Sequence, residues 1–314
     1  MIRVGPAGWS YPDSPGHVYP ASVPARFDAL RFLASYFDTI EVNSTFYRPQ
    51  PPKTYASWAK RVAANSEFRF TVKLWQVFTH GPRGVSGERT EGVGAEKVEW
   101  TADDVRMVTE GLEVLRGEGR LGALLAQFPW SFKPDGVGRE RLTRLVETFR
   151  DWPLAVEVRH GRWGRPGELA FLKDLGVGFT NLDQPVIGQS LPPTAHATGP
   201  LGYVRFHGRN YEHWFGEHEE TFQRYDYLYT AAELAPWIER IKTLGATDGV
   251  TEVYVITNNH YEGKGPANAL MIRAMLEGRR VRAPGVLFRT YRGALEPWAE
   301  PSGDADPDEA GSLL

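Results

Sequence analysis

The sequence contains no cysteine, which removes disulfide bonds, thiolate catalysis and cysteine-ligated zinc together and suits a cytoplasmic address. It has no run of about 18 apolar residues, so no membrane-spanning helix and no membrane partner are expected. Its opening, MIRVGPAGWS, lacks the apolar stretch of a secretory signal. Nucleotide and hydrolase signatures are missing too. GPAGWS lacks the third spaced glycine of a dinucleotide fingerprint, and no Walker loop, GxSxG elbow or HExxH pair occurs. Basic residues are absent after Arg292, whereas Glu296, Glu300, Asp304, Asp306, Asp308 and Glu309 are acidic. Residues 296–314 therefore read as a disordered acidic tail behind one domain, 1–295. The whole chain carries a formal charge of −3, so the domain without its tail is mildly basic, too weakly to mark a nucleic-acid surface.

What the chain does have is core material. Hydrophobic residues make up 41%, with 10 Trp, 13 Tyr and 16 Phe, which excludes a disordered, collagen-like or coiled-coil chain. Short apolar runs at Ile2–Ala7, Thr39–Val42, Phe68–Lys73, Ala123–Gln127, Leu154–Val158, Val177–Asn181, Gly202–His207 and Glu252–Thr257 predict parallel strands covered on both faces. Helical spacing lies between most of them: Ala25–Phe37, Thr54–Val62, a helix capped by Thr101, Arg139–Phe149, Gly167–Leu175, Thr230–Leu244 and Pro266–Glu277. Pro185–Pro200 is too proline-rich for a long helix, so one crossover is irregular. Strand and helix alternating in this way predict a single (β/α)8 TIM-type barrel, with an open doubly wound sheet as the alternative. Gly81–Trp100 is long, charged and glycine-rich and reads as a mobile loop.

Chemistry in such a barrel sits at the C-terminal strand ends. Glu41 and Asn43 share one face of their strand, as do Thr71 and Lys73, Glu157 and Arg159, and Arg205 and His207. If these faces point into the mouth, several charges converge there. Glu41, Lys73, Glu157, Arg159 and His207 are the catalytic candidates. Tyr47, Trp75, His80, Gln127, Trp163, Asp183, Asn258 and Asn259 join Asn43 and Arg205 as candidate substrate contacts.

The segments TIEVNSTFY, FTVKLWQVFTH, LAQFPWSF, AVEVRHGRW, YVRFHGR and VITNNHYEGKGPANAL, with the opening VGPAGWSYPDSPGHVYP, resemble the YecE-like family, the domain of unknown function numbered 72. The resemblance spans residues 1–292. It implies a TIM-type barrel and no particular reaction.

Three functions compete. The first is metal-independent acid/base chemistry on a small polar ligand, with Glu41 and Glu157 held at different pKa values. Their separation would decide whether a sugar bond fits between them. Lys73 is either a counter-ion to Glu41 or, if burial lowers its pKa, a Schiff-base lysine. The second is a metal-dependent hydrolase or isomerase using His80, His160, His207 or His260 with Glu41, Glu157 or Asp183, although Lys73, Arg159 and Arg205 would repel a cation. The first reading predicts no cofactor; the second would need a divalent metal. The third is a binding module for single-stranded nucleic acid or carbohydrate, on aromatics such as Trp9, Tyr11, Trp130 and Trp214. An anion site is predicted as well. Gly208, Arg209 and Asn210 face Gly263, Lys264, Gly265 and Pro266 at a helix start, where Ala267 and Asn268 N–H groups would hold a phosphate or carboxylate.

Overall fold

A computed structural model of the chain describes residues 1–24, 26–81, 100–211 and 225–302. The bulk of the expected Gly81–Trp100 loop, Trp214 and the tail beyond Ser302 lie outside the described residues.

Eight parallel strands form one sheet in the order β1-β8-β7-β6-β5-β4-β3-β2. They are β1 (Ile2–Pro6), β2 (Thr39–Val42), β3 (Arg69–Lys73), β4 (Leu121–Gln127), β5 (Leu154–Glu157), β6 (Gly178–Asp183), β7 (Leu201–Phe206) and β8 (Glu252–Thr257). The ring closes between β1 and β2 through a parallel bridge from Ala7 to Glu41, and the Gly8 amide donates to the Glu41 carbonyl at 2.8 Å. Gly5 permits this seam: a Cβ there would lie 1.8 Å from the Thr39 carbonyl oxygen. The fold is the expected (β/α)8 barrel.

Helices follow the apolar stripes. Thr101 caps Ala102–Gly117 with a reciprocal capping box to Asp104, and Thr230 does the same for Ala231–Ala246 with Glu233. Pro236 is accommodated inside the latter helix. The first helix is shorter than its apolar spacing suggests, Ala29–Ala34, because the Asp28 side chain accepts the Arg31 N–H and starts the helix there. No helix joins β6 to β7: residues 184–200 form the irregular crossover expected from their prolines. Pairing continues past residue 296, where the sequence places the start of the tail. Ala299–Pro301 pairs in parallel with Val281–Ala283, and Ala299 is buried.

The core has two parts. A shell of Leu, Val, Ile and aromatic side chains lies between strands and helices. A smaller plug of Ala7, Ala123, Leu125, Ala155, Leu201, Tyr203, Tyr254 and Ile256 fills the barrel. The polar layer sits above this plug, toward the C-terminal strand ends.

Candidate active site

Register brings the charged residues to one level. Gln127 pairs with Glu157, Glu41 with Thr71, and Arg205 lies between Leu182 and Ile256. Side-chain alternation then turns Glu41, Lys73, Gln127, Glu157, Tyr203, Arg205 and His207 inward.

Arg205 is the hub. Its Nη2 donates to Glu41 Oε1 at 2.6 Å, and its Nη1 donates to Glu157 Oε2 at 2.5 Å and to Gln127 Oε1 at 3.1 Å. The Tyr203 hydroxyl donates to Glu41 Oε2 at 3.0 Å. Arg159 Nε donates to Glu157 Oε1 at 2.9 Å. His207 Nε2 stands 3.3 Å from that same oxygen, and the Asn258 amide nitrogen stands 3.1 Å from His207 Nδ1. Glu41, Glu157, Arg205 and His207 are all 0% exposed. Among the described residues, the Thr71 and Thr180 hydroxyls and Arg205 Nε are buried without a partner.

The electrostatics follow from burial and pairing. Burial works against the Glu157 charge, but Arg205 and Arg159 outweigh it and hold the carboxyl well below its ordinary range. Burial likewise works against the Arg205 charge, and Glu157 and Glu41 overcome it, keeping the guanidinium firmly charged. Burial pushes the His207 imidazole down to about 3 against the pull of Glu157, with the nearby guanidiniums adding to the fall. A neutral ring fixes a tautomer. Nδ1 accepts from the Asn258 amide, so Nε2 carries the proton and donates to Glu157.

Lys73 is different. It is half-buried, with its ammonium 4.5 Å from the centroid of the Phe46 ring. It makes no ion pair among the described residues, and Arg205 takes the place at Glu41 that the sequence offered to Lys73. Burial lowers its pKa to about 8, helped by Arg205 and Arg159 and opposed by Glu41 and Glu157. Arg159 shares this upper level, its side chain 19% exposed.

Other predicted contacts divide into three groups. Gln127, Asn258, Asn43, Trp75 and Tyr47 stand at or near the mouth. The Asn43 amide donates to the Tyr11 hydroxyl at 3.4 Å, while its Oδ1 is buried without a partner among the described residues. Trp75 is half-buried and Tyr47 exposed. His80 is exposed beside Phe46, its Nδ1 2.9 Å from the Thr79 hydroxyl. A third set is not brought to the mouth. Trp163 is buried behind the wall, its indole N–H donating to the Phe132 carbonyl at 3.0 Å. Asp183 faces outward and accepts from Arg209, Tyr229 and Trp237 at 2.6 to 2.8 Å. Asn259 bonds the Tyr227 carbonyl and Asn268 behind the strands.

The anion site between the last two loops is not formed as the sequence suggests. Arg209 is committed to Asp183, and Lys264 Nζ to Asp226 at 2.6 Å and Glu262 at 3.1 Å. Gly263, in the left-handed region at φ 83°, starts the helix Lys264–Glu277, but Ala267 and Asn268 are buried rather than facing solvent. The Gly208 amide is used by the Tyr229 hydroxyl at 2.9 Å.

The four histidines considered as ligands are dispersed. His160 accepts from the Arg162 amide, and His260 stacks on Tyr11 at 4.1 Å. Among the described residues no three His, Asp or Glu side chains converge as metal ligands would. A groove around Met1, Ile2, Asp38, Lys242 and Arg273 lies elsewhere and touches none of the charged cluster. Tyr203 is the site residue that sequence reading missed. Its signal was the alternation Tyr203-Arg205-His207 on one strand face.

Residues 3–287 match the family described as protein of unknown function DUF72. The chain belongs to the DUF72 family. Among solved structures, this DUF72 chain is similar to a DUF72 family protein from Thermotoga maritima, with 33% identity and a TM-score of 0.74 over 88% of this chain and 99% of that one. A DUF72 family protein from Enterococcus faecalis V583 gives 26% identity and a TM-score of 0.70 over 88% of this chain and 96% of that one. UPF0759 protein YunF of Bacillus subtilis is 28% identical over 286 residues, 88% of this chain and 95% of that protein. Membership fixes the family and the barrel; the chemistry of the DUF72 site has to come from its side chains.

Proposed function

We propose that the mouth of this barrel is the active site of an enzyme that uses acid/base chemistry on a small polar ligand with an anionic group, a carboxylate or a phosphate. One observation carries the reading: Lys73 is half-buried and lacks a carboxylate partner among the described residues, and its pKa is lowered to about 8. An amine titrating near neutrality can give and take a proton at physiological pH, where an ordinary lysine cannot. Charge counting supports the anion. Glu41 and Glu157 are offset by Arg205 and Arg159, so a protonated Lys73 is the surplus charge of the cluster.

The roles differ from a simple pair of carboxylates. Glu41 and Glu157 are both consumed by Arg205, and His207 is held neutral. They act as positioning residues that set the height of Arg159 and the field at Lys73. Arg159, partly exposed, offers its remaining N–H groups to the ligand's anion. Asn43, Gln127 and Asn258 supply polar contacts around it.

Thermal unfolding with added phosphate, malonate and lactate tests this. At least one of these anions should raise the melting temperature of the parent and of Lys264→Ala, and not of Arg159→Ala. Stabilisation that survives Arg159→Ala, or no stabilisation by any of them, would overturn the reading.

A further inference from the structure

We infer that the ligand of this site bears a carbonyl group close to its anion, and that Lys73 binds it covalently as an imine. This rests on the reading of the mouth as an acid/base site. It names the substrate class, a small oxo acid or comparable anionic carbonyl compound.

The inference starts from how few groups are available. An acid/base mechanism ordinarily needs a separate acid and base. Here both buried carboxylates are bound to Arg205, and the imidazole donates to Glu157 while accepting from Asn258. Lys73 is the cation of the cluster without a carboxylate among the described residues. Imine chemistry is a route that one amine can run alone, since the iminium it forms is itself the electron sink.

Position supports the same chemistry. Lys73 ends β3, with Asn43 following the residue paired to Val72 on one side and β4, bearing Gln127, on the other. Its backbone is held by the Thr45 hydroxyl, which donates to the Lys73 carbonyl at 2.7 Å. The amine is therefore fixed at its root, and its tip meets the Phe46 ring and no carboxylate among the described residues. Arg159 adds to the fall in the Lys73 pKa, as a second cation of the same mouth would.

The step balances. The lone pair of the uncharged amine attacks the carbonyl carbon, a C–N bond forms, and the C=O π pair moves to oxygen, which takes a proton. The nitrogen then gives one of its two protons to that hydroxyl, the C–O bond breaks as the nitrogen lone pair forms the C=N bond, and one water leaves. Overall one ammonium and one carbonyl give one iminium and one water, with the charge unchanged. The iminium inherits the place of the ammonium against the Phe46 ring, and the bound anion offsets it.

The test uses the whole chain with pyruvate or glyoxylate and sodium cyanoborohydride, read by intact mass and peptide mapping. The parent should gain one reduced adduct, on Lys73, and none without reductant. Lys73→Arg, which keeps the charge, should gain none at that position. Arg159→Ala, with Lys73 intact, should label about tenfold less at low pyruvate, as expected for one lost charge-assisted hydrogen bond. No adduct at Lys73 or equal labelling of other lysines would overturn the imine, and full labelling of Lys73 in Arg159→Ala would overturn the seating of the ligand's anion on Arg159. Lactate, which has the carboxylate but no carbonyl, separates the two ideas. If lactate and pyruvate stabilise the protein through Arg159 but no adduct forms, the imine falls and the anion reading stands. If neither stabilises it and no adduct forms, both fall.

Discussion

Replacing Glu157 by Gln tests the central network with almost no change of shape. The parent carboxylate is 0% exposed and receives Arg205 at 2.5 Å, Arg159 at 2.8 Å and the His207 ring at 3.3 Å. The amide removes one negative charge, which leaves Arg205 with Glu41 alone and Arg159 without a carboxylate among the described residues. Arg205 already has an unpartnered Nε among the described residues, so it has little slack to absorb the loss. Breaking a buried pair by removing one partner costs about 3–5 kcal/mol. For a domain of this size that corresponds to a fall in melting temperature on the order of 10 °C. The loss should depend on pH. The folded pKa of Glu157 is depressed, so its contribution is complete above the unfolded value, near pH 4.5, and disappears as pH falls through the lower folded value. Thermal melts of parent and Glu157→Gln, followed by circular dichroism from pH 7 downward, should therefore converge in acid. Equal melting temperatures at pH 7 would show that the carboxylate contributes nothing and that Arg205 is balanced by other means.

Three further outcomes follow from the same geometry. Lys73→Met should raise stability at pH 7 by about 1–3 kcal/mol, because it removes a half-buried cation, and the gain should vanish as pH rises from 8 to 10.5; a destabilised variant would contradict the burial cost. His207 has a lowered folded pKa of about 3, so the unfolded chain takes a proton first and parent stability should fall by about 1.4 kcal/mol per pH unit below pH 6.5. Urea titrations of His207→Gln should lose that slope, and an unchanged slope would place the titration elsewhere. Gly5→Ala should lower the urea midpoint, at a cost of about 2 kcal/mol or more, because its methyl would meet the Thr39 carbonyl at the β1–β2 seam; a parent-like midpoint would mean the seam is open.

Much of this fold was legible because buried parallel strands read as short apolar runs with sharp ends. Thr39–Val42 and Glu252–Thr257 have the same bounds in sequence and structure. Two-residue alternation also placed Lys73, Arg159 and His207 on the faces that meet. What remained hidden depended on reach across the barrel. Sequence offers Lys73, one strand away, as the partner of Glu41, whereas the longer Arg205 arrives from β7 and takes both carboxylates. The loop Gly263–Pro266 has the composition of an anion cradle, but Asp226, which pairs with Lys264 beside the local Glu262, and Asp183, which holds Arg209, lie far from it in sequence and carry no local signal. Asp183 could have been placed by parity. Thr180 and Leu182 alternate with it along β6, so its side chain leaves the barrel on the helix side toward Trp237.

The most direct measurement is the titration of Lys73 itself. Its ε-carbon resonance, recorded by NMR on lysine-labelled protein and assigned by its absence from Lys73→Arg, should move with a midpoint near pH 8. A midpoint at the ordinary lysine value of 10.5 would contradict the account, since the amine would then be a solvated cation with no chemistry to offer at neutral pH.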